Sequence, residues 1–214
     1  MKKKTLINNL EEYKEKALNI HFDEFTRDLA KYAHENNVPI IKDEGLAFLL
    51  MLLRIKKPAR ILEIGSAIGY SAILMAKNTD AIIDTFEISE ASAKLAKENI
   101  KQAEFETRIN LYNIDALEGF DLIKDNNYDF IFLDAAKGQY RNFFNLFSPL
   151  LNKGGVIFAD NLYFHDLLFE EIESRNLYQL VGRIKKYNDF VLEKEDFDTS
   201  IFNIGDGIGV SVKK

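Results

Sequence analysis

Residues Tyr128 to Phe144 read "YDFIFLDAAKGQYRNFF", and the fold turns on them. The apolar run Phe130 to Leu133 suits a strand buried on both faces, and it delivers a carboxylate, Asp134, to its end. Lys137 follows closely. Downstream, "GGVIFADN" repeats the pattern and finishes in Asp160 and Asn161. Two interior strands thus each end in hard oxygen ligands, with an amine beside one of them.

Reading outward, short apolar runs alternate with longer amphipathic segments. Strands are expected at 60–64, 81–87, 109–113, 128–134 and 155–160, with helices near 70–77, 90–102, 116–124 and 140–151. That alternation implies βαβ units, a parallel sheet and helices on both faces: an α/β fold. A helix near 169–193 follows. Strands at 200–204 and 207–212, joined tightly by Gly205-Asp206, suggest a hairpin and an antiparallel last strand. Before the sheet, 6–18, 22–35 and 44–54 carry helical spacing, with Leu46, Leu49, Leu50 and Leu53 on one face and Asp43 as N-cap. One domain over 1–214 is expected, with a helical N-terminal extension of about 56 residues.

Composition narrows the function. Hydrophobic residues make up 47% and charged residues 29%, as in ordinary globular proteins. There is no cysteine, which excludes disulfides and thiolate chemistry. No apolar run is long enough for a membrane span, and the basic start is not followed by the apolar segment of a secretion signal; a cytoplasmic protein is expected. The net charge of −6 argues against generic nucleic-acid binding unless a basic patch is local.

In open α/β sheets ligands sit beyond the carboxyl ends of the strands. Gly65 and Gly69, in "RILEIGSAIGYSAILMA", form a turn that a ligand can approach, leading into Tyr70 and Ser71 at a helix start. Ala67 stands where a dinucleotide fingerprint has its second glycine, and a plain βα connection would look the same. Glu87 ends the second strand, where an acid typically binds ribose hydroxyls. Asp115 and Ala116 can meet an adenine amino group, or Asp115 can cap the next helix. Glu63 is placed to hold the glycine loop through backbone amides. Asp134, Asp160 and Asn161 suit Mg²⁺ or Mn²⁺, which take oxygen ligands and leave positions open for substrate; each acid alone could equally cap an element.

These stretches carry a resemblance. "LEIGSAIGYSA", "FEIS", "FIFLDAAKGQY" and "GVIFADN" are similar to the metal-dependent O-methyltransferases of catechol and caffeoyl-CoA type, over most of the chain from about Asp43. "NNVPIIKDEGLAFLL", "LDAAKGQYRNFF", "IKKYNDF" and "IFNIGDGIGVSVKK" resemble the bacterial tRNA 5-hydroxyuridine methyltransferase branch. The resemblance implies a Rossmann-like seven-stranded sheet with an antiparallel last strand, S-adenosylmethionine as cofactor with Asp134 also at its site, and a homodimer. It implies a metal at Asp134, Asp160 and Asn161, and Lys137 as base. "AAKG" departs from the plant enzymes' "ADKD", away from a CoA-ester or catechol acceptor.

For a tRNA anticodon loop as substrate, the candidate contacts are Arg141, Phe164, Arg175, Arg183, Lys185 and Lys186. Further basic groups lie at Lys2 to Lys4 and at Arg54, Lys56, Lys57 and Arg60, although charge runs are often only solvated faces. Tyr163, Phe164 and His165 could stack on a base or line a half-buried loop. His165 could also ligate the metal. A small-molecule phenol methyltransferase is the alternative reading, and a non-catalytic adenosine-ligand or RNA-binding protein is another.

Overall fold

Alternating apolar strands build the observed sheet. The computed structural model describes residues 9, 13, 16–135, 137–164 and 167–214. The elements are α1 (Glu24–Glu35), α2 (Asp43–Lys56), β1 (Arg60–Ile64), α3 (Tyr70–Asn78), β2 (Ile82–Phe86), α4 (Glu90–Gln102), β3 (Ile109–Tyr112), β4 (Tyr128–Leu133), α5 (Tyr140–Phe147), β5 (Leu151–Ala159), α6 (Arg175–Leu192), β6 (Phe197–Phe202) and β7 (Ile208–Lys213). They form a seven-stranded sheet of order β3-β2-β1-β4-β5-β7-β6. β1 to β5 pair in parallel, and β7 runs antiparallel to both β5 and β6. This is the Rossmann-like methyltransferase sheet expected from the sequence.

Strand periodicity divides the core between the two faces. Ile61, Phe130, Phe132, Val156 and Phe158 pack with Leu29, Leu46, Leu49, Leu53 and Ile73 of α1 to α3. Leu62, Ile131, Leu133 and Ile157 face the other way, onto Phe143, Phe144, Phe147, Tyr187 and Val191 of α5 and α6. Phe158 is fully buried, with ring centroids 5.6 Å from Phe132 and 6.1 Å from Phe48. Truncating such a ring to alanine costs about 3–5 kcal/mol.

Several boundaries differ from the sequence reading, each for a local reason. Asp43 is the first residue of α2 and makes no capping bond; Lys42 is the N-cap position. The helix expected at 116–124 is a 3₁₀ turn, Glu118–Leu122. Gly119 packs there so closely that an added Cβ would lie 2.6 Å from the Phe86 ring. α5 stops at Phe147 and Pro149 opens a separate 3₁₀ turn. α6 begins at Arg175, because the Ser174 side chain accepts from the Leu177 amide as N-cap. The β6–β7 connection spans 203–207, longer than the tight junction expected, with Gly205 and Gly207 at positive φ. The expected 6–18 helix, Lys2 to Lys4 and His165 lie largely or wholly outside the described residues; within that helix, residues 16–18 are helical.

Candidate active site

Register assembles the site. Ile64 is paired with Phe86 and with Leu133, and Leu133 with Ala159. The next residue on each strand is Gly65, Glu87, Asp134 or Asp160, so these four stand side by side along the carboxyl edge. The ladder continues through them: Gly65 donates to Phe86 O, Asp134 to Ile64 O and Asp160 to Leu133 O. Asp134 and Asp160 are therefore about one strand spacing apart, roughly 5 Å. The order also reverses here, with β2 on one side of β1 and β4 on the other, which opens a crevice.

A cavity of about 470 Å³ fills that crevice, a volume suited to a cofactor-sized ligand. Gly65, Tyr70, Ser71, Glu87, Asp115, Ala116, Asp134, Lys137 and Asn161 all line it. Gly65 is required: its φ is +102°, and a Cβ would sit 2.4 Å from the Asp134 carbonyl oxygen. The sequence reading did not place Pro39, Ile40 and Ile41 at the site, yet they form part of its wall. No chemistry-bearing residue marked them, and they fall between the helices expected at 22–35 and 44–54.

Glu87 braces the turn. Its Oε2 accepts from the Ala67 amide at 2.8 Å and its Oε1 from the Ser89 amide at 2.8 Å. Ala67 has φ +46°, strained for a residue with a Cβ, and the bond from its amide holds it there. Glu63 does not reach the loop amides as expected. It is fully buried and accepts from the hydroxyls of Ser71 at 2.6 Å and Thr85 at 2.5 Å, tying α3 to β2. Burial pushes its carboxyl up to about 7, against the pull of those two hydroxyls. Asp115 is not the N-cap of the 3₁₀ turn, a position Leu117 takes; its Oδ1 accepts from the Leu117 amide at 2.8 Å just before that turn, and the residue faces the cavity.

At the ends of β4 and β5 the electrostatics are unbalanced. Burial first, then the charge of Asp160, drive the Asp134 carboxyl well above its usual range, against the pull of Lys137. Burial also raises Asp160, opposed by hydrogen bonds from Asn161 and by Lys137. The Asn161 amide donates to Asp160 Oδ1 at 2.7 Å, and Tyr140 donates its hydroxyl to the Asp160 carbonyl at 3.1 Å. Two crowded, desolvated carboxylates beside an amide oxygen form a donor set that a hard dication would relieve. Among the described residues there is no group of three or more His, Cys, Asp or Glu, so the fitting set is two acids and the Asn161 amide.

Lys137 opens a 3₁₀ turn, and its Nζ lies 5.6 Å from the centroid of the Phe164 ring. Asn161 (φ +62°) and Phe164 (φ +47°) are both left-handed. The loop is pinned by amides of Leu162 to Gly207 O and of Tyr163 and Phe164 to Asp206 O. The Tyr163 ring packs on Gly207, where a Cβ would be 2.6 Å away.

The basic candidates do not form one patch. Arg141 stacks over Phe190 at 4.8 Å, and Lys185 pairs with Asp189 at 2.7 Å. Arg175 is the exposed first residue of α6, and Lys186 is exposed on the same helix. Only Arg183 is seen against the site, across Gly138. Arg60 starts β1, at the opposite end of the sheet from the cavity, and its Nε lies 3.6 Å from buried Asp84. Arg54 bonds Asn78 at 2.8 Å.

The sequence profile of the O-methyltransferase family matches residues 13–214. The flavonoid 3',5'-methyltransferase of Vitis vinifera is 33% identical over 87% of this chain and 83% of its own. The caffeoyl-CoA O-methyltransferase of Medicago sativa is 32% identical over 78% and 72%. A Staphylococcus aureus crystal structure, provisionally described as a caffeoyl-CoA O-methyltransferase, superposes with TM-score 0.90 at 33% identity, covering 96% of this chain and 100% of that one. The chain belongs to the O-methyltransferase family. Among the described residues no helix is long and apolar enough to cross a membrane.

Proposed function

We propose that the protein is an S-adenosylmethionine-dependent O-methyltransferase that converts 5-hydroxyuridine to 5-methoxyuridine at tRNA wobble position 34. The reading includes Mg²⁺ or Mn²⁺ at Asp134, Asp160 and Asn161. The observation that carries it is the in-register row Glu87, Gly65, Asp134 and Asp160, with Lys137 at its acceptor end. Likeness to the Bacillus cereus O-methyltransferase, whose structure is in complex with SAH, supports the cofactor; it is 25% identical, with TM-score 0.82 over 96% of this chain.

Bound here, the cofactor would supply an activated methyl group, and the dication Lewis acidity that lowers the pKa of an acceptor hydroxyl. Glu87 retains lone pairs for ribose hydroxyls, Asp115 faces the adenine end, and Gly65 lets the backbone approach. Asp134, Asp160 and Asn161 would hold the dication, whose charge would favour an acceptor with adjacent C4 and C5 oxygens. Phe164 offers a ring face, Lys137 takes the hydroxyl proton, and the pinned loop keeps acceptor and methyl aligned. A homodimer, a cytoplasmic setting and one catalytic unit with an N-terminal extension belong to the same reading.

A second reading, a small phenolic acceptor, is supported by the activities named for the plant relatives. Hypomodified tRNA and a simple catechol, assayed in parallel with labelled S-adenosylmethionine and Mg²⁺, separate the two. Transfer to hydroxylated tRNA supports the first reading. Catechol methylation without tRNA methylation overturns it, as does transfer to unmodified uridine, which lacks the 5-oxygen.

A further inference from the structure

The 3₁₀ turn Lys137–Gln139 forms part of the cavity wall, and Gly138 is its middle residue. A Cβ at Gly138 would lie 3.1 Å from Nη1 of Arg183 and 3.6 Å from its Cδ. The arginine therefore lies flat on the turn, in space that a side chain at 138 would contest. Its backbone is fixed, because Val181, Ile184 and Tyr187 around it on α6 are buried. The side chain itself is exposed and has no hydrogen bond or ion pair among the described residues. Its neighbours differ: Lys185 is paired with Asp189 and Arg141 rests on Phe190. In a chain of net charge −6, this guanidinium is held against Gly138, the residue that follows Lys137.

We infer that Arg183, seated across Gly138, is a specificity-determining contact for a phosphate carried by the acceptor, adjacent to the base whose oxygen is methylated. The inference rests on the nucleotide-acceptor reading above. A guanidinium presents a planar fork of donors that matches phosphate in a bidentate manner. The Phe164 ring has its centroid 5.6 Å from Lys137 Nζ, so an aromatic group stands next to the turn that carries Gly138, and a planar base could stack there. A stacked ring with a phosphate close by describes a nucleotide; a simple catechol has the ring and lacks the anion. Gly138 serves the arrangement twice. It leaves room for the arginine, and it places no carboxylate beneath it.

The test compares 5-hydroxyuridine with its 3′- and 5′-monophosphates as acceptors, with labelled S-adenosylmethionine and Mg²⁺. Wild type should favour one monophosphate over the nucleoside in kcat/KM by about tenfold or more, the scale of a charge-assisted hydrogen bond. Arg183→Gln should erase that ratio, and Arg183→Lys should keep part of it as a point charge. Gly138→Asp should also erase it, by pairing the arginine in place. Unchanged calorimetric affinity for S-adenosylmethionine in the variants shows that each has folded. No monophosphate preference in wild type, or a wild-type ratio in Arg183→Gln, overturns the inference while leaving the methyltransferase reading intact. If no uridine acceptor is methylated while catechol is, the nucleotide reading and the inference fall together.

Discussion

Lys42 and Asp206 close a bridge between the Pro39–Ile41 wall of the cavity and the loop that follows Asn161: Nζ of the lysine lies 2.5 Å from Oδ1 of the aspartate. Lys42 follows the Pro39–Ile41 segment that lines the cavity. The Asp206 carbonyl accepts from the amides of Tyr163 and Phe164, in the loop that follows Asn161. One residue thus anchors both. Lys42→Met should cost about 1 kcal/mol of stability, since the lysine is half-exposed. Hydrogen exchange should quicken at Tyr163 and Phe164 as well as at 38–42. Faster exchange confined to 38–42 would show that the two segments are uncoupled.

Glu87→Ala should weaken S-adenosylmethionine binding by about 1–3 kcal/mol through lost ribose hydrogen bonds. It should also release Ala67 and Ser89, whose amides it accepts. Calorimetry reads the first effect and thermal unfolding of the free protein the second. Tight NAD binding without a response to S-adenosylmethionine would refute the cofactor assignment.

Glu63 sets a pH dependence of stability. Its carboxyl rises from 4.5 to about 7 on folding, so the folded state binds the proton more tightly than the unfolded chain. The contribution is fully present below pH about 4.5 and is lost as pH rises through about 7, a change on the order of 3 kcal/mol. Glu63→Gln keeps an acceptor for one of the Ser71 and Thr85 hydroxyls, turns a donor toward the other, and removes the titration. Its unfolding free energy should vary less between pH 5 and 8 than that of wild type, as read by denaturant titration. Equal slopes in the two proteins would remove Glu63 from the account.

The parallel strands were legible because β1 to β5 are compact apolar runs that need no tertiary context. The site row followed, since a residue just past a strand end lies at the carboxyl edge whatever the register. Three features were not legible. The Pro39–Ile41 wall depends on the Lys42–Asp206 bridge, between residues far apart in the chain. The 3₁₀ turn at Glu118–Leu122 depends on how closely Gly119 meets Phe86. The basic residues of α6 looked alike in sequence, and only their partners, Asp189 for Lys185 and the Gly138 turn for Arg183, tell them apart.

Asp134→Asn and Asp160→Asn should each abolish most turnover while leaving S-adenosylmethionine bound. In chelator each should also be more stable than wild type, by about 1 kcal/mol, because a buried like-charge pair is relieved. Mg²⁺ should raise the melting temperature of wild type and of neither variant. Full activity of wild type in chelator would sink the metal assignment.

Two roles are open to Lys137, and two substitutions distinguish them. Its ammonium draws down both Asp134 and Asp160, so it helps keep the pair ionised. In the proposed function it is also the base that takes the acceptor proton. Lys137→Ala removes both roles, whereas Lys137→Arg keeps the positive charge and removes the base, because a guanidinium does not give up its proton near neutral pH. If proton removal is the main role, both variants should slow single-turnover methyl transfer by about a hundredfold or more, with S-adenosylmethionine affinity retained. The rate of Lys137→Arg should recover as pH rises and the acceptor hydroxyl ionises unaided. If charge alone matters, Lys137→Arg should run near wild-type rate while Lys137→Ala fails and needs more Mg²⁺. A Lys137→Ala protein with an unchanged single-turnover rate would remove the lysine from the chemistry altogether.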